Sequence, residues 1–112
     1  MRRHRIRAPG TVAHGLLALA ALWPLSPAWA NADLARQRNC MNCHAVDRKI
    51  VGPSLRDIAA RYRNSGETVV PVLAAKVRNG GSGAWGPVAM AANPQVSQAE
   101  AEALVRWMLA QR

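Results

Sequence analysis

The sequence predicts an all-α fold, in which about four short helices form one small domain. Apolar residues recur three and four positions apart in successive stretches, which is the spacing of one helix face. No stretch alternates convincingly between apolar and polar residues, so no strand is predicted. The length of 112 residues is room for a single small domain.

The first 30 residues have the three-part layout of a secretory signal peptide. Residues 1–7 are basic, residues 11–22 are mostly apolar, and an A-x-A ending closes the segment at Ala30. The alternative is an uncleaved membrane anchor, but the apolar run is shorter than the roughly 20 residues that span a bilayer. We therefore expect a cleaved signal peptide over 1–30 and a mature domain over 31–112, outside the cytoplasm in an oxidising compartment.

Helical patterns follow one another through the mature domain, at residues 32–39, 54–63, 68–79 and 97–111. Asn31 is a candidate N-cap of the first helix, and Gly80 is placed to end the third. Ser97 and Glu100 form an S-x-x-E capping box at the start of the last helix. Residues 80–94 contain four glycines and two prolines, and they are predicted to form a loop.

The aromatic content is low for a domain that must close a core. There is no Phe, and Trp23 and Trp29 fall in the N-terminal segment, so the mature domain keeps only Tyr62, Trp85 and Trp107. Domains near this size rarely close a core without a disulfide, a metal or a cofactor. The two cysteines are three residues apart, and a bridge across so small a loop would stabilise little. The composition thus excludes a disulfide framework and favours a bulky cofactor.

Residues 40–44 read Cys-Met-Asn-Cys-His, the C-x-x-C-H pattern that attaches a c-type haem. Cys40 and Cys43 lie on one turn, so each thiol can form a thioether with one haem vinyl group. His44, the only histidine after residue 30, is then directed at the iron. Three alternatives remain: a thioredoxin-like dithiol needs a βαβ context, a structural zinc site needs four ligands, and the pattern can arise by chance in a helical module.

The second axial ligand cannot be another histidine, and methionine is a further ligand of haem iron. Met41 lies inside the attachment turn, and Met108 lies on the apolar face of the last predicted helix. Met90 lies in the loop rich in Gly and Pro, which can bring its sulfur over the opposite haem face, so it is the predicted ligand. Packing of Met90 on the core is the alternative. Iron with both positions filled has no vacant site, which favours an electron carrier over a haem enzyme or gas sensor.

These residues resemble a known family, the short bacterial class I cytochromes c, which are small monohaem electron carriers of the periplasm. The resemblance covers residues 31–112 and is carried by CMNCHAVDRKIVGPSLRDIAARY, KVRNGGSGAWGPVAM and VSQAEAEALVRWMLAQ. It implies about four short helices wrapped around one covalently attached haem c. It also implies a soluble periplasmic carrier, not an enzyme, that passes single electrons from respiratory complexes to a terminal reductase or oxidase.

The resemblance implies roles for four further residues. The carbonyl of Pro53 would accept the Nδ1–H bond of His44, and the indole N–H of Trp85 would donate to a haem propionate. Lys76 matches a position near a propionate, and Asn93 matches a residue that donates to the methionine sulfur. The alternatives are a core aromatic for Trp85, a solvated charge for Lys76 and turn chemistry for Asn93.

The chain departs from the pattern of the proteins that it resembles at two places near the site. Similar proteins often carry two prolines after the ligand methionine, where Ala91 and Ala92 stand here. The loss of both rings makes this loop less rigid. Asn39 stands where glycine often precedes the first cysteine.

The charge of the chain suggests acidic protein partners. There are 15 Lys and Arg against 6 Asp and Glu, but from residue 31 the excess is 11 minus 6, or +5. Arg36, Arg38, Arg48 and Lys49 flank the attachment turn, and such charges steer encounters with acidic docking surfaces, here of a reductase, an oxidase or a bc-type complex. Ordinary solvated charge is the alternative. The basic residues are scattered and no aromatic residues lie between them, which argues against nucleic-acid binding.

We expect a monomer without stable membrane insertion once the signal peptide is removed. Two other functions stay open at this point. One is a haem peroxidase or sensor with an open sixth iron position, and the other is a fixed electron-accepting subunit of a larger complex.

Overall fold

The computed structural model describes residue 10 and residues 28–112, with the backbone alone for residues 28–30. The predicted signal peptide therefore falls almost entirely outside the described residues. Within them, no helix is both long enough and apolar enough to cross a membrane.

Four α-helices form the frame of residues 28–112. They are α1 (Ala28–Gln37), α2 (Leu55–Arg61), α3 (Val69–Asn79) and α4 (Gln98–Leu109). Short 3-10 helices occupy Cys40–Asn42 and Gly66–Thr68. The predicted helical class is confirmed, and each predicted helix is found with its ends shifted by a few residues.

The first helix begins earlier than the sequence analysis expects. It starts at Ala28, so Asn31 lies inside the helix and the N-cap predicted there is wrong. Alanine has the highest helix propensity, and Ala28 and Ala30 extend the helix toward the N-terminus. Past its other end, Asn39 has φ 61°, a left-handed conformation that asparagine tolerates better than most residues. This conformation turns the chain into the cysteine segment.

The predicted caps explain where α4 and α3 begin and end. The Ser97 hydroxyl accepts a hydrogen bond from the Glu100 N–H at 3.1 Å, and a Glu100 carboxylate oxygen accepts from the Ser97 N–H at 3.0 Å. Both halves of the predicted capping box are therefore formed. Gly80 follows α3 with φ 68°, a backbone conformation that favours glycine.

The core lies where α4 packs against α1, α2 and α3. Its buried members are mostly small aliphatic side chains: Ala35, Val70, Ala74, Val96, Ala101, Leu104 and Val105. The aromatic ring of Trp107 is only partly buried against them. A core of this kind is consistent with the missing apolar bulk noted in the composition.

A small antiparallel hairpin replaces the loop predicted over residues 80–94. Strand β1 (Gly81–Gly83) pairs with β2 (Gly86–Met90), with Gly81 opposite Met90 and Gly83 opposite Gly86. The prediction is wrong for these residues because glycine has low strand propensity and the segment has no alternating pattern. Pairing nevertheless satisfies the backbone groups that face the partner strand, and the residues of both strands are otherwise largely exposed.

Candidate haem-binding site

The cysteine segment forms a tight turn directly after α1. The N–H groups of Cys43 and His44 both donate to the carbonyl oxygen of Cys40, at 3.3 and 3.1 Å. Cys40 is half-buried, Cys43 is exposed, and both thiols are free. Burial raises the pKa of the Cys40 thiol and so favours its protonated form. Both thiols are therefore presented by a single turn of backbone.

The imidazole of His44 is oriented by the segment that follows it. Its Nδ1 lies 2.8 Å from the carbonyl oxygen of Pro53. A carbonyl can only accept, so Nδ1 carries the proton and the lone pair of Nε2 is left available to a metal. The backbone of Gly52 lies against the ring, and a Cβ there would come 2.5 Å from His44 Cε1. Sequence reasoning singled out Pro53 but missed the part that Gly52 plays.

An open cleft of about 930 Å³ lies between the cysteine turn, α3 and the hairpin. This volume falls within the roughly 300–1,000 Å³ typical of ligand and cofactor sites. All eight predicted site residues line it: Cys40, Cys43, His44, Pro53, Lys76, Trp85, Met90 and Asn93. The structure thus brings together residues from segments far apart in the chain.

The walls of the cleft fit a large apolar group held by two thiols and an imidazole. Val51, Val72 and Val88 line it and are 49%, 65% and 61% exposed. Apolar side chains exposed together in a concave surface mark a binding site more often than free surface. A smaller cavity of about 60 Å³ shares His44 with the cleft and is also lined by Leu104 and Val105 of α4. The site therefore fits a haem bound through Cys40 and Cys43.

The three methionines of the mature domain have different surroundings. Met41 and Met108 pack against the buried core cluster. Met90 is the last residue of β2, is half-buried and lines both the cleft and the smaller cavity, together with His44. Met108 also lines both, and Met41 lines the smaller cavity alone. Among the described residues, Met90 is not part of the core cluster, which disfavours the core-packing alternative.

Asn93 does not make the contact that the resemblance implies. Its side-chain amide nitrogen lies 3.1 Å from the carbonyl oxygens of both Val77 and Ala91. Its backbone N–H also donates to Arg78 O, at 3.0 Å. Both amide hydrogens are used on backbone carbonyls rather than on the Met90 sulfur, because the last carbonyls of a helix have no partner within it. Asn93 thus ties the segment after Met90 to the end of α3.

Trp85 and Lys76 lie near the hairpin. Trp85 is 40% exposed at the hairpin turn, so it is not a core aromatic. The guanidinium of Arg61 stacks on its indole, 4.6 Å from the ring centroid. The Lys76 ammonium lies close to Gly81, where a Cβ would come 2.9 Å from it. The residues around Arg61 in the sequence give no indication that its side chain contacts the hairpin, so its role was not predicted.

Residues 28–112 do not support a zinc site or a thioredoxin-like dithiol at the C-x-x-C-H segment. No group of three or more Cys, His, Asp or Glu side chains there is placed to hold a metal ion, as a zinc site would need. Nor do these residues form a βαβ unit, the context of a thioredoxin-like dithiol.

A short helical frame around a cleft that presents C-x-x-C-H and a methionine is the arrangement of a cytochrome c. The chain belongs to the cytochrome c family, whose model, described as Cytochrome c, matches residues 29–112. It is therefore an electron-transfer protein and not an enzyme, and its cofactor is one covalently attached haem c. The predicted family, fold and cofactor are confirmed.

Particular relatives are small bacterial cytochromes. Cytochrome c-552 of Nitrosomonas europaea is 45% identical over 95 residues, covering 85% of this chain and 91% of that protein. Cytochrome c-551 of Azotobacter vinelandii is 44% identical over 77 residues, covering 69% of this chain and 92% of that protein. The crystal structure of wild-type Nitrosomonas europaea cytochrome c552 matches with a TM-score of 0.69 and 46% identity, over 72% of this chain and 99% of that one.

Proposed function

We propose that this cytochrome is a one-electron shuttle whose haem iron is bound axially by His44 and Met90. The observation that carries the proposal is that both side chains line the same cleft as the two cysteines, although they come from different elements. Haem supplies a redox-active iron, and a thioether ligand raises its reduction potential. With His44 and Met90 both bound, the iron would have no vacant site for a substrate, so the haem would only accept and release electrons.

The remaining residues hold these ligands in place. The Pro53 carbonyl fixes the tautomer and orientation of His44, as partners of metal-bound histidines commonly do. Asn93 and Gly80 hold the backbone next to Met90, and a Cβ at Gly80 would come 2.5 Å from Met90 O. This support replaces part of the rigidity that the alanines after Met90 do not provide. The propionate roles of Trp85 and Lys76 belong to the same proposal.

The proposed location is the periplasm, after removal of residues 1–30, and the proposed active form is a monomer of residues 31–112. The proposed partners are redox proteins with acidic docking surfaces, among them a reductase, an oxidase or a bc-type complex. The four basic residues near the attachment turn differ in their ion pairing, which supports one of them most for this role. Arg36, Arg38 and Arg48 each have a carboxylate partner, whereas Lys49 has no ion pair in the described chain and lines the cleft. Lys49 is therefore the residue on which we base the acidic-partner proposal.

A visible spectrum of the exported, purified protein tests the ligand set. We expect sharp reduced bands, and in the ferric protein the weak long-wavelength band of a sulfur ligand. Met90→Ala should remove that band, lower the potential and let the reduced protein bind carbon monoxide rapidly. Met108→Ala is the matched control and should keep the band. If Met90→Ala keeps the band, another sulfur is the ligand and the assignment of Met90 is wrong. If the unmodified protein lacks the band, no sulfur binds the iron and an open-site peroxidase or sensor is favoured.

A further inference from the structure

The β1–β2 hairpin has little packing of its own. All of its residues are exposed except Gly86 and Met90, which are half-buried. An isolated two-stranded hairpin is only marginally stable in water. Its position over the cleft must therefore depend on contacts outside the hairpin: those with the helices, and those that a haem in the cleft would make with Trp85, Val88 and Met90. At its base, Asn93 and Gly80 join it to the end of α3.

At the other end of the hairpin, one side chain reaches it from the helical frame. An Arg61 guanidinium N–H donates to the carbonyl oxygen of Ala84, in the turn between the strands. The same guanidinium lies 4.6 Å from the centroid of the Trp85 indole, within the roughly 6 Å of a cation–π contact. Within the described residues, this is the only side-chain hydrogen bond from a helix to residues 81–89.

Arg61 is attached to a rigid support. It is the last residue of α2, whose Leu55, Ile58 and Ala59 are buried. A cation is favoured at the C-terminal end of a helix, and the hairpin turn lies beside this end of α2, within hydrogen-bond distance of Arg61. Arginine can stack its plane on a ring while donating in that plane, and lysine cannot do both at once.

We propose that Arg61 is a positioning residue that clamps the hairpin turn, and through it holds the strand carrying Met90 over the cleft. Trp85 precedes β2 directly, and Met90 is the last residue of that strand. Release of the turn frees β2 to lift from the cleft, so the clamp slows the departure of Met90 from the iron. This last step rests on the proposed Met90 ligation, whereas the clamp itself does not.

Hydrogen exchange of the haem-loaded protein tests the clamp without reference to the ligand. Arg61→Gln should speed exchange of the amides of residues 81–90 by about tenfold, the effect of losing a charged hydrogen bond and a stacked cation. Arg61→Lys should give an intermediate rate. Arg63→Gln is the matched control, because Arg63 is exposed and its side chain forms no hydrogen bond or ion pair with the described residues. Equal exchange in Arg61→Gln and Arg63→Gln would overturn the proposal.

The rate at which the reduced protein binds carbon monoxide tests the effect on Met90. It should rise about tenfold in Arg61→Gln and stay unchanged in Arg63→Gln. Faster exchange with an unchanged carbon monoxide rate would overturn the link from the clamp to Met90. If Met90→Ala keeps the sulfur band, the ligand assignment fails, and the exchange result still decides the clamp.

Discussion

The backbone of Gly52 lies flat against the imidazole of His44. A Cβ at Gly52 would come 2.5 Å from Cε1 and 3.0 Å from Nδ1 of that ring. Gly52 is itself fixed, because its N–H donates to Cys43 O at 2.8 Å. Neither group can move away freely, so the position of the ring depends on the absence of a side chain at residue 52.

Gly52→Ala should therefore displace the His44 ring and weaken its bond to Pro53. We expect the free energy of unfolding to fall by about 1–3 kcal/mol, the usual result of adding atoms to a packed contact. The reduction potential should also shift, because the ring is the proposed iron ligand. Gly66→Ala is the control: it strains a left-handed backbone, yet its Cβ would have no neighbour within 4 Å. It should lower stability and leave the potential unchanged. An unshifted potential in Gly52→Ala would contradict the positioning role.

Asn93→Asp should be more destabilising than Asn93→Ala. Alanine removes the two side-chain hydrogen bonds to Val77 O and Ala91 O, for an expected loss of about 1–3 kcal/mol. Aspartate adds repulsion, since a carboxylate would face two carbonyl oxygens at the negative end of α3. Denaturant unfolding measures both changes. Asn64→Asp is the control, at an exposed asparagine whose side chain makes no hydrogen bond within the described chain. Equal stability of Asn93→Asp and the unmodified protein would refute the capping role.

Glu100 should make stability depend on acid pH. The Arg38 guanidinium, 2.6 Å away, and then the Ser97 N–H hold the pKa of the Glu100 carboxyl below its usual range. The folded-state pKa is thus lower than the unfolded one. The resulting stabilisation is present above the ordinary glutamate pKa of about 4.3 and is lost as pH falls through the folded value. Glu100→Gln should flatten this part of the curve of unfolding free energy against pH.

Glu67→Gln provides the comparison for that measurement, because it removes an exposed carboxylate paired with Arg106 on the surface. If Glu67→Gln and Glu100→Gln change the loss of unfolding free energy at acid pH equally, the contact of Glu100 with Arg38 is not its cause.

Lys49→Gln should slow electron exchange with an acidic partner and reduce the dependence of its second-order rate on salt. Screening weakens the attraction between exposed charges, so the rate for the unmodified protein should fall as ionic strength rises. Arg56→Gln is the control, since Arg56 is exposed and does not line the cleft. A rate that is flat across ionic strength in the unmodified protein would contradict acidic docking surfaces.

The features predicted well from sequence are those set by neighbouring residues. The capping box at Ser97 and Glu100 fixes the start of α4 within one turn. The C-x-x-C-H segment brings its two thiols together because hydrogen bonds between neighbouring residues close that turn. Both features can be predicted from a few neighbouring residues, without the rest of the chain. The site residues implied by family resemblance all line one cleft, although spacing alone gives no reason for Lys76 or Trp85 to do so.

The features missed from sequence depend on contacts between distant segments. Arg61 meets Ala84 across 23 residues, and Asn93 meets Val77 across 16. Each partner is a backbone carbonyl, which every residue has, so the sequence carries no sign of which one is used. The hairpin was missed for the same reason, because its glycines pair through backbone groups alone.

The position of α4 in the chain has a consequence for how the protein is assembled. Since α4 packs against α1, α2 and α3, the core cannot close until residues 98–109 have docked on the earlier helices. Contacts between early and late segments form slowly, because the intervening chain must first be brought into a loop. The cysteine turn at residues 40–44 depends on hydrogen bonds between neighbouring residues, so it can form before its surroundings are complete. That order of events would leave its thiols accessible to a covalent attachment reaction while the chain is still open.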